Sequence, residues 1–176
     1  MATFLIIGRK GSGKTSLIHL LEHNGLTAFN TDDIPGATRL ENKLTGETID
    51  WPEGRVDWST YAWNWQRPII EDLLSRDSLV FLGGVVSNWR DFQELFDKVF
   101  VLLVSPENLA QRLSTHEHAS HHLPGEAERI LAHHQQQQKE FVEAGCIPID
   151  ANRPIVEIAN DILRKAGIER SVSEAT

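Results

Sequence analysis

Between an apolar run, Thr3-Phe4-Leu5-Ile6-Ile7, and a segment with a helical apolar stripe, Ser16–Glu22, stand the residues Gly8-Arg9-Lys10-Gly11-Ser12-Gly13-Lys14-Thr15. No other stretch constrains the chain as much. A buried strand that runs through a glycine turn straight into a helix leaves the positive helix end facing that turn. Glycines let backbone N–H groups converge on a compact anion without Cβ clashes. Lys14 adds a positive charge that can follow phosphate oxygens, and Thr15 offers a hydroxyl to a divalent cation. Units of this kind pack as a parallel sheet with helices on both faces.

The eight residues fit G-x-x-x-x-G-K-[ST], the phosphate loop of P-loop nucleotide-binding proteins. Gly8, Gly11, Ser12, Gly13, Lys14, Thr15 and Ser16 are therefore expected to contact a nucleotide, with Thr15 on Mg²⁺. Candidate strands follow at Thr27–Asn30, Leu79–Leu82, Val99–Val104 and Ile147–Ile149, after Thr3–Ile7. Candidate helices are Lys14–His23, Tyr61–Ser75, Trp89–Phe96, Pro106–Leu113, Ala127–Ala144 and Pro154–Ala166. The late strands are apolar without alternation, as expected of strands covered on both faces. The fold class expected is α/β, with right-handed crossovers and ligand at the carboxyl ends of the strands.

The 176 residues suit one domain, residues 1–167, with a frayed tail at 168–176. A formal net charge of −8 argues against a broad nucleic-acid or membrane surface. Cys146 is the lone cysteine, which excludes a disulfide framework. No apolar stretch has transmembrane length and the first strand begins at once, so a cytoplasmic protein, monomer or homodimer, is expected.

Outside the phosphate loop, Asn30-Thr31-Asp32-Asp33 ends the second strand, where ligand is expected. A carboxylate there can order Mg²⁺ through water or take a proton from a hydroxyl; either aspartate can equally cap the next helix. Gly83-Gly84 follow the third strand and suit either a close substrate approach or a plain turn. That strand carries no acidic end, so metal positioning falls on Thr15 and the Asp32 region. Trp51, Trp58, Tyr61, Trp63 and Trp65 crowd into one segment. Trp58, Tyr61 and Trp65 have the three- and four-residue steps of a helical face, which suits packing, with one or two rings left for a substrate. Arg67 and Arg112 are candidate phosphate contacts. Gln135–Gln138 suits an exposed helix face. His116, His118, His121 and His122 read as part of a polar lid rather than as a metal site.

These residues together resemble shikimate kinase and, more broadly, the small kinases of the nucleoside-monophosphate-kinase group. Asn30-Thr31-Asp32 falls on that family's Asp-Thr-Asp, and Leu44-Thr45-Gly46 on a threonine-glycine pair that follows a helix. Arg67 falls on its substrate-binding arginine and Gly83-Gly84 on its substrate loop. Arg112 falls on an arginine that packs on the base, and Asp150-Ala151-Asn152-Arg153-Pro154 on its adenine loop. The resemblance implies a three-layer P-loop fold with a five-strand parallel sheet in the order 2-3-1-4-5. It further implies an acceptor region at about 35–65 and a lid at about 114–126. It implies ATP as donor with Mg²⁺, Lys14 and Asp32 as catalytic groups, and Asp32, Asp33, Arg67, Gly83 and Gly84 on the substrate side. Arg112, Asn152, Arg153 and Pro154 would border the nucleotide. Three departures matter. The first acid of Asp-Thr-Asp is Asn30, the lid has no arginine, and the family's second substrate arginine falls within Gln135–Gln138. Those arginines pair with the shikimate carboxylate, so a neutral hydroxyl compound, a nucleoside or other ring, is the expected acceptor. The rival expectation is a nucleotide-sensing ATPase without an acceptor.

Overall fold

A computed structural model describes residues 1–115 and 125–174. Its main sheet is built from β1 (Ala2–Ile7), β2 (Thr27–Asn30), β6 (Leu79–Gly83), β7 (Lys98–Leu103) and β8 (Ile147–Asp150). All neighbours are parallel, in the order β2-β6-β1-β7-β8. With the strands of an inserted second sheet set aside, this is the expected 2-3-1-4-5. The parallel pairing explains the unbroken apolar runs. Along β1, Phe4 and Ile6 enter one core cluster while Leu5 and Ile7 enter the other. Each such fully buried side chain contributes about 1.5–3 kcal/mol relative to exposure.

Helices α1 (Lys14–His23) and α5 (Ile155–Ala166) cover the first face, through Leu17, Ile18 and Leu21 and through Ile158, Ile162 and Leu163. Leu109 of α3 (Pro106–Thr115) joins them. The second face is covered by α2 (Arg67–Leu74), by Trp89 and Phe92 of a 3-10 segment at Trp89–Leu95, and by Phe141 of α4 (Glu126–Glu143). The expected tail does not fray up to residue 174. Val172 is buried, its amide is held by Asn160 Oδ1 at 2.9 Å, and Ser173 exchanges hydrogen bonds with Asn24.

The inserted region departs from the sequence reading. Residues 61–65 do not begin a helix. Tyr61–Trp65 is β5, which pairs antiparallel with β3 (Thr38–Asn42), and β3 pairs with β4 (Thr48–Ile49). The helix starts later because Pro68, which lacks an N–H, is tolerated only in a first turn. Tyr61, Trp63 and Trp65 alternate along the strand and so share one of its faces. Trp65 is buried against Phe92 and Phe96, while Trp51 sits edge-on to both Trp58 and Trp63 with Trp51 and Trp58 exposed. Leu44-Thr45-Gly46, expected after a helix, instead lies in the β3–β4 hairpin turn, where Asn42 Oδ1 accepts from the amides of Leu44 and Thr45.

Candidate active site

The phosphate loop takes the conformation its glycines permit. Gly11 and Gly13 have φ of +82° and +88°, and Gly13 is the N-cap of α1. At Gly11 a Cβ would come within 2.6 Å of Leu109, and at Gly8 within 2.2 Å of Ser12 Oγ. Helix α1 begins with no side-chain cap and no acid in its first turn. Its leading amides therefore keep their hydrogen-bonding capacity and their partial positive charge for an outside anion. Ser12 adds a buried hydroxyl that has no partner. Thr15 and Ser16 are exposed in that first turn.

Lys14 is the pivot. Its ammonium is buried, donates to Asn30 Oδ1 at 2.7 Å and lies 3.4 Å from Asp32 Oδ2. Burial pushes the Lys14 ammonium below its ordinary value, and the neighbouring Asp32 only partly opposes this. Asn30 is also buried and donates from Nδ2 to Asp33 Oδ2 at 2.9 Å. The Asp32 side chain is 47% exposed, so its carboxylate touches Lys14 yet remains open to a ligand. Asp33 faces His19 at 3.6 Å at the surface.

Gly83 and Gly84 answer to packing. A Cβ on Gly83 would approach Ile18 to 2.6 and 2.9 Å, and one on Gly84 would meet Thr31 Oγ1 at 2.5 Å and the Trp65 ring at 2.7 Å. Neither glycine has a positive φ, so the plain-turn reading is not what requires them. They let α1 and Trp65 seat against the end of β6, and Trp65 Nε1 donates to Thr31 Oγ1 at 3.1 Å. Gly83→Ala is expected to destabilise the protein by about 1–3 kcal/mol, because Ile18 is enclosed and cannot yield. Urea unfolding reads this as a lower midpoint with an unchanged slope.

Arg112 ties the loop to the far side of the sheet. It donates to the carbonyls of Gly11 at 3.3 Å, Ser12 at 3.1 Å and Ala151 at 2.7 Å. Of the residues expected at the base, Arg112 thus touches the phosphate loop directly. A cavity of about 240 Å³ is bordered by Gly11, Gly13, Ser16, Arg112 and Arg153. A broader, open depression of about 660 Å³ shares Arg153 with it and extends past Ser105 and Asn152. Asn152 Oδ1 accepts from the Ser105 amide at 2.9 Å and from Asn108 at 2.8 Å, and Pro154 caps α5. Arg153 is held by Asp161 at 3.0 Å. Burial alone would raise the Asp161 carboxyl, but Arg153, Lys165 and Arg164 together hold it below the usual carboxylate range. Arg112→Ala removes three carbonyl contacts at once. It is expected to weaken triphosphate binding by about 5- to 150-fold, a loss of roughly 1–3 kcal/mol, as measured by calorimetry.

Other expected residues are occupied elsewhere. Arg67 donates to Glu71 at 3.2 Å, to Glu94 at 3.1 Å and to the Asp91 carbonyl, and it stacks over Phe92. These partners tie its charge to α2 and the 3-10 segment. Gln138, expected on an exposed face, is half-buried: Oε1 accepts from the Val104 amide at 2.7 Å and Nε2 donates to the Val104 carbonyl at 3.2 Å. His134 binds the same carbonyl through Nε2 at 2.7 Å. The expected lid histidines, His116, His118, His121 and His122, lie outside the described residues. Sequence reasoning overlooked Arg9. Burial and then Arg129 of α4 push the Arg9 guanidinium below its ordinary value, with Glu140 opposing, so α4 borders the phosphate loop electrostatically. The x positions of the motif carry no signal for that role.

The donor set suits a hard cation. Among the described residues no group of three His, Cys, Asp or Glu side chains is placed to hold a metal. Mg²⁺ is commonly bound by one or two protein oxygens together with phosphate and water, rather than by an all-protein cage. Thr15 and the open Asp32 carboxylate offer such oxygens.

Neither a family model nor a curated protein matches the chain. Solved structures do. A gluconokinase from Sinorhizobium meliloti 1021 aligns over 94% of this chain and 91% of its own, with TM-score 0.56 and 21% identity. A shikimate kinase from Acinetobacter baumannii in complex with shikimate aligns over 94% and 92%, with TM-score 0.58 and 22% identity. A deoxyadenosine kinase from M. mycoides with bound dATP aligns over 94% and 99%, with TM-score 0.55 and 12% identity. The chain therefore has the fold of the small P-loop kinases, with the strand order read above. No helix among the described residues is long and apolar enough to cross a membrane.

Proposed function

We propose that this protein is a small-molecule kinase that moves the γ-phosphoryl group of ATP to a hydroxyl of a neutral acceptor. The observation that carries the reading is the meeting of Lys14 with the Asp32 carboxylate at the mouth of an uncapped helix. An anion site and an open carboxylate 3.4 Å from its lysine support charge stabilisation and proton acceptance at one spot. The chain's likeness in fold to a gluconokinase, a deoxyadenosine kinase and a shikimate kinase supports the same reaction class.

In the reaction, the leading amides of α1 and the Lys14 ammonium grip the β- and γ-phosphates. The Asp32 carboxylate orients the acceptor hydroxyl and takes its proton as the oxygen bonds to γ-phosphorus. The bond from γ-phosphorus to the bridging oxygen breaks and ADP leaves with that oxygen. Lys14 offsets negative charge on the transferring group throughout. Catalysis of this kind is mainly positioning and electrostatics. Mg²⁺ held by Thr15 and the phosphates would supply further charge neutralisation. The base would lie towards Arg112 and the Asn152–Pro154 loop, beside the two cavities.

A neutral acceptor follows from which cations are committed. Arg67 already pairs with Glu71 and Glu94, and Gln138, a neutral side chain bound to Val104, lies in the run where the resembled family has an arginine. Nucleosides and sugars meet this condition, and Trp51, Trp58 and Trp63 offer ring faces in the inserted sheet. The test is acceptor-stimulated ADP release across nucleosides, sugars and aminocyclitols. Saturable stimulation by one of them supports the proposal. ADP release that is independent of every acceptor supports a nucleotide-sensing ATPase instead.

A further inference from the structure

We propose that Asn30 is a positioning residue that holds the Lys14 ammonium with a neutral acceptor and so leaves its charge for the nucleotide. The inference rests on the nucleotide-binding reading of the phosphate loop and adds a role for a side chain outside it.

Asn30 sits at the end of β2, buried, with Lys14 on one side and Asp33 on the other. Its carboxamide can do two opposite things at once: Oδ1 accepts from Lys14 Nζ at 2.7 Å while Nδ2 donates to Asp33 Oδ2 at 2.9 Å. A carboxylate in that place would have no proton to give Asp33 and would set two acids against each other. It would also form a close ion pair with Lys14, in a buried setting where charge pairs are strong. Lys14 would then face Asp32 and a second acid, and an incoming phosphate would have to compete with both. The amide keeps the geometry without that competition. Behind Lys14, a Cβ on Gly83 would press on Ile18 at 2.6 Å while standing at ordinary contact distance, 3.5 Å, from Lys14 Cγ. The lysine is buried and is held at its tip by Asn30, with Asp32 to one side.

The experiment compares wild type, Asn30→Asp and Asn30→Ser. Calorimetry with MgATP is run from pH 7.5 downwards, and the Lys14 Nζ group is titrated by NMR without nucleotide, assigned by its absence from Lys14→Met. Asn30→Asp is expected to weaken MgATP binding by about tenfold or more at pH 7.5, with the Lys14 ammonium titrating higher than in wild type. The deficit relative to wild type should shrink once pH is low enough to neutralise the new carboxyl, which pairing with Lys14 holds below the usual carboxylate range. Asn30→Ser, too short to span Lys14 and Asp33, should lose about fivefold with no such pH dependence. A merely structural role would move neither the pH dependence nor the Lys14 titration. Wild-type affinity in both variants, or a Lys14 titration unmoved in Asn30→Asp, overturns the proposal. If wild type itself does not bind MgATP, the nucleotide reading fails with it. The NMR arm still reports separately whether Asn30 governs Lys14.

Discussion

Lys14→Met is expected to lower phosphoryl transfer by about 10³-fold or more, with a thermal midpoint no lower than that of wild type. Both halves come from the same burial. Lys14 is buried to within a few per cent, and burial is the main reason its ammonium lies below its ordinary value. A lysine depressed in this way is costlier to keep charged in the folded than in the unfolded chain. The unfolded state then binds more protons, so its contribution to stability rises as pH increases towards the ordinary lysine value. Methionine fills much of the same space without the charge and removes that cost. What is lost is the buried ammonium group proposed to follow the γ-phosphoryl during transfer. Wild-type turnover by folded Lys14→Met would count directly against the mechanism. A sharp fall in its midpoint would instead mean that the Asn30 and Asp32 contacts outweigh the cost of burial.

Asp32→Asn is expected to cut transfer by about 10²–10⁴-fold while leaving MgATP affinity at or slightly above the wild-type value. The amide keeps the shape of the carboxylate but accepts no proton. It also removes the negative charge 3.4 Å from Lys14, and that charge competes with phosphate for the same ammonium. Single-turnover transfer, with calorimetry on the same preparation, separates the two effects. A parallel loss of affinity and rate would assign Asp32 to metal or nucleotide binding rather than to the acceptor proton.

The main sheet was legible because its strands are apolar on both faces. Sequence also placed the phosphate loop, since its glycines and lysine carry the signal in consecutive positions. The insertion was misread for a specific reason. Trp58, Tyr61 and Trp65 happen to have helical spacing, while Tyr61, Trp63 and Trp65 have strand spacing in the same few residues. Pro68 was the tie-breaker, since it marks a helix start just beyond Gln66. Gly83 and Gly84 read as a substrate loop or a turn, and the space they leave for Ile18 and Trp65, which are distant in the chain, is a tertiary fact. Arg67 pairs with Glu71 one turn on, which sequence can show, and with Glu94, which it cannot. Asn30 read only as a missing acid. Its hold on Lys14 depends on both being buried together, and burial of a polar pair is a tertiary fact.

The central claim is that the amides opening α1, together with Lys14, bind the polyphosphate of a purine nucleotide. Titration of folded wild-type protein with MgATP in a calorimeter tests it most directly. The account predicts saturable one-site heat with a dissociation constant below about 1 mM, weaker by more than about 1.4 kcal/mol in Lys14→Met. Absence of saturation at millimolar MgATP, or equal affinity in Lys14→Met, would contradict it.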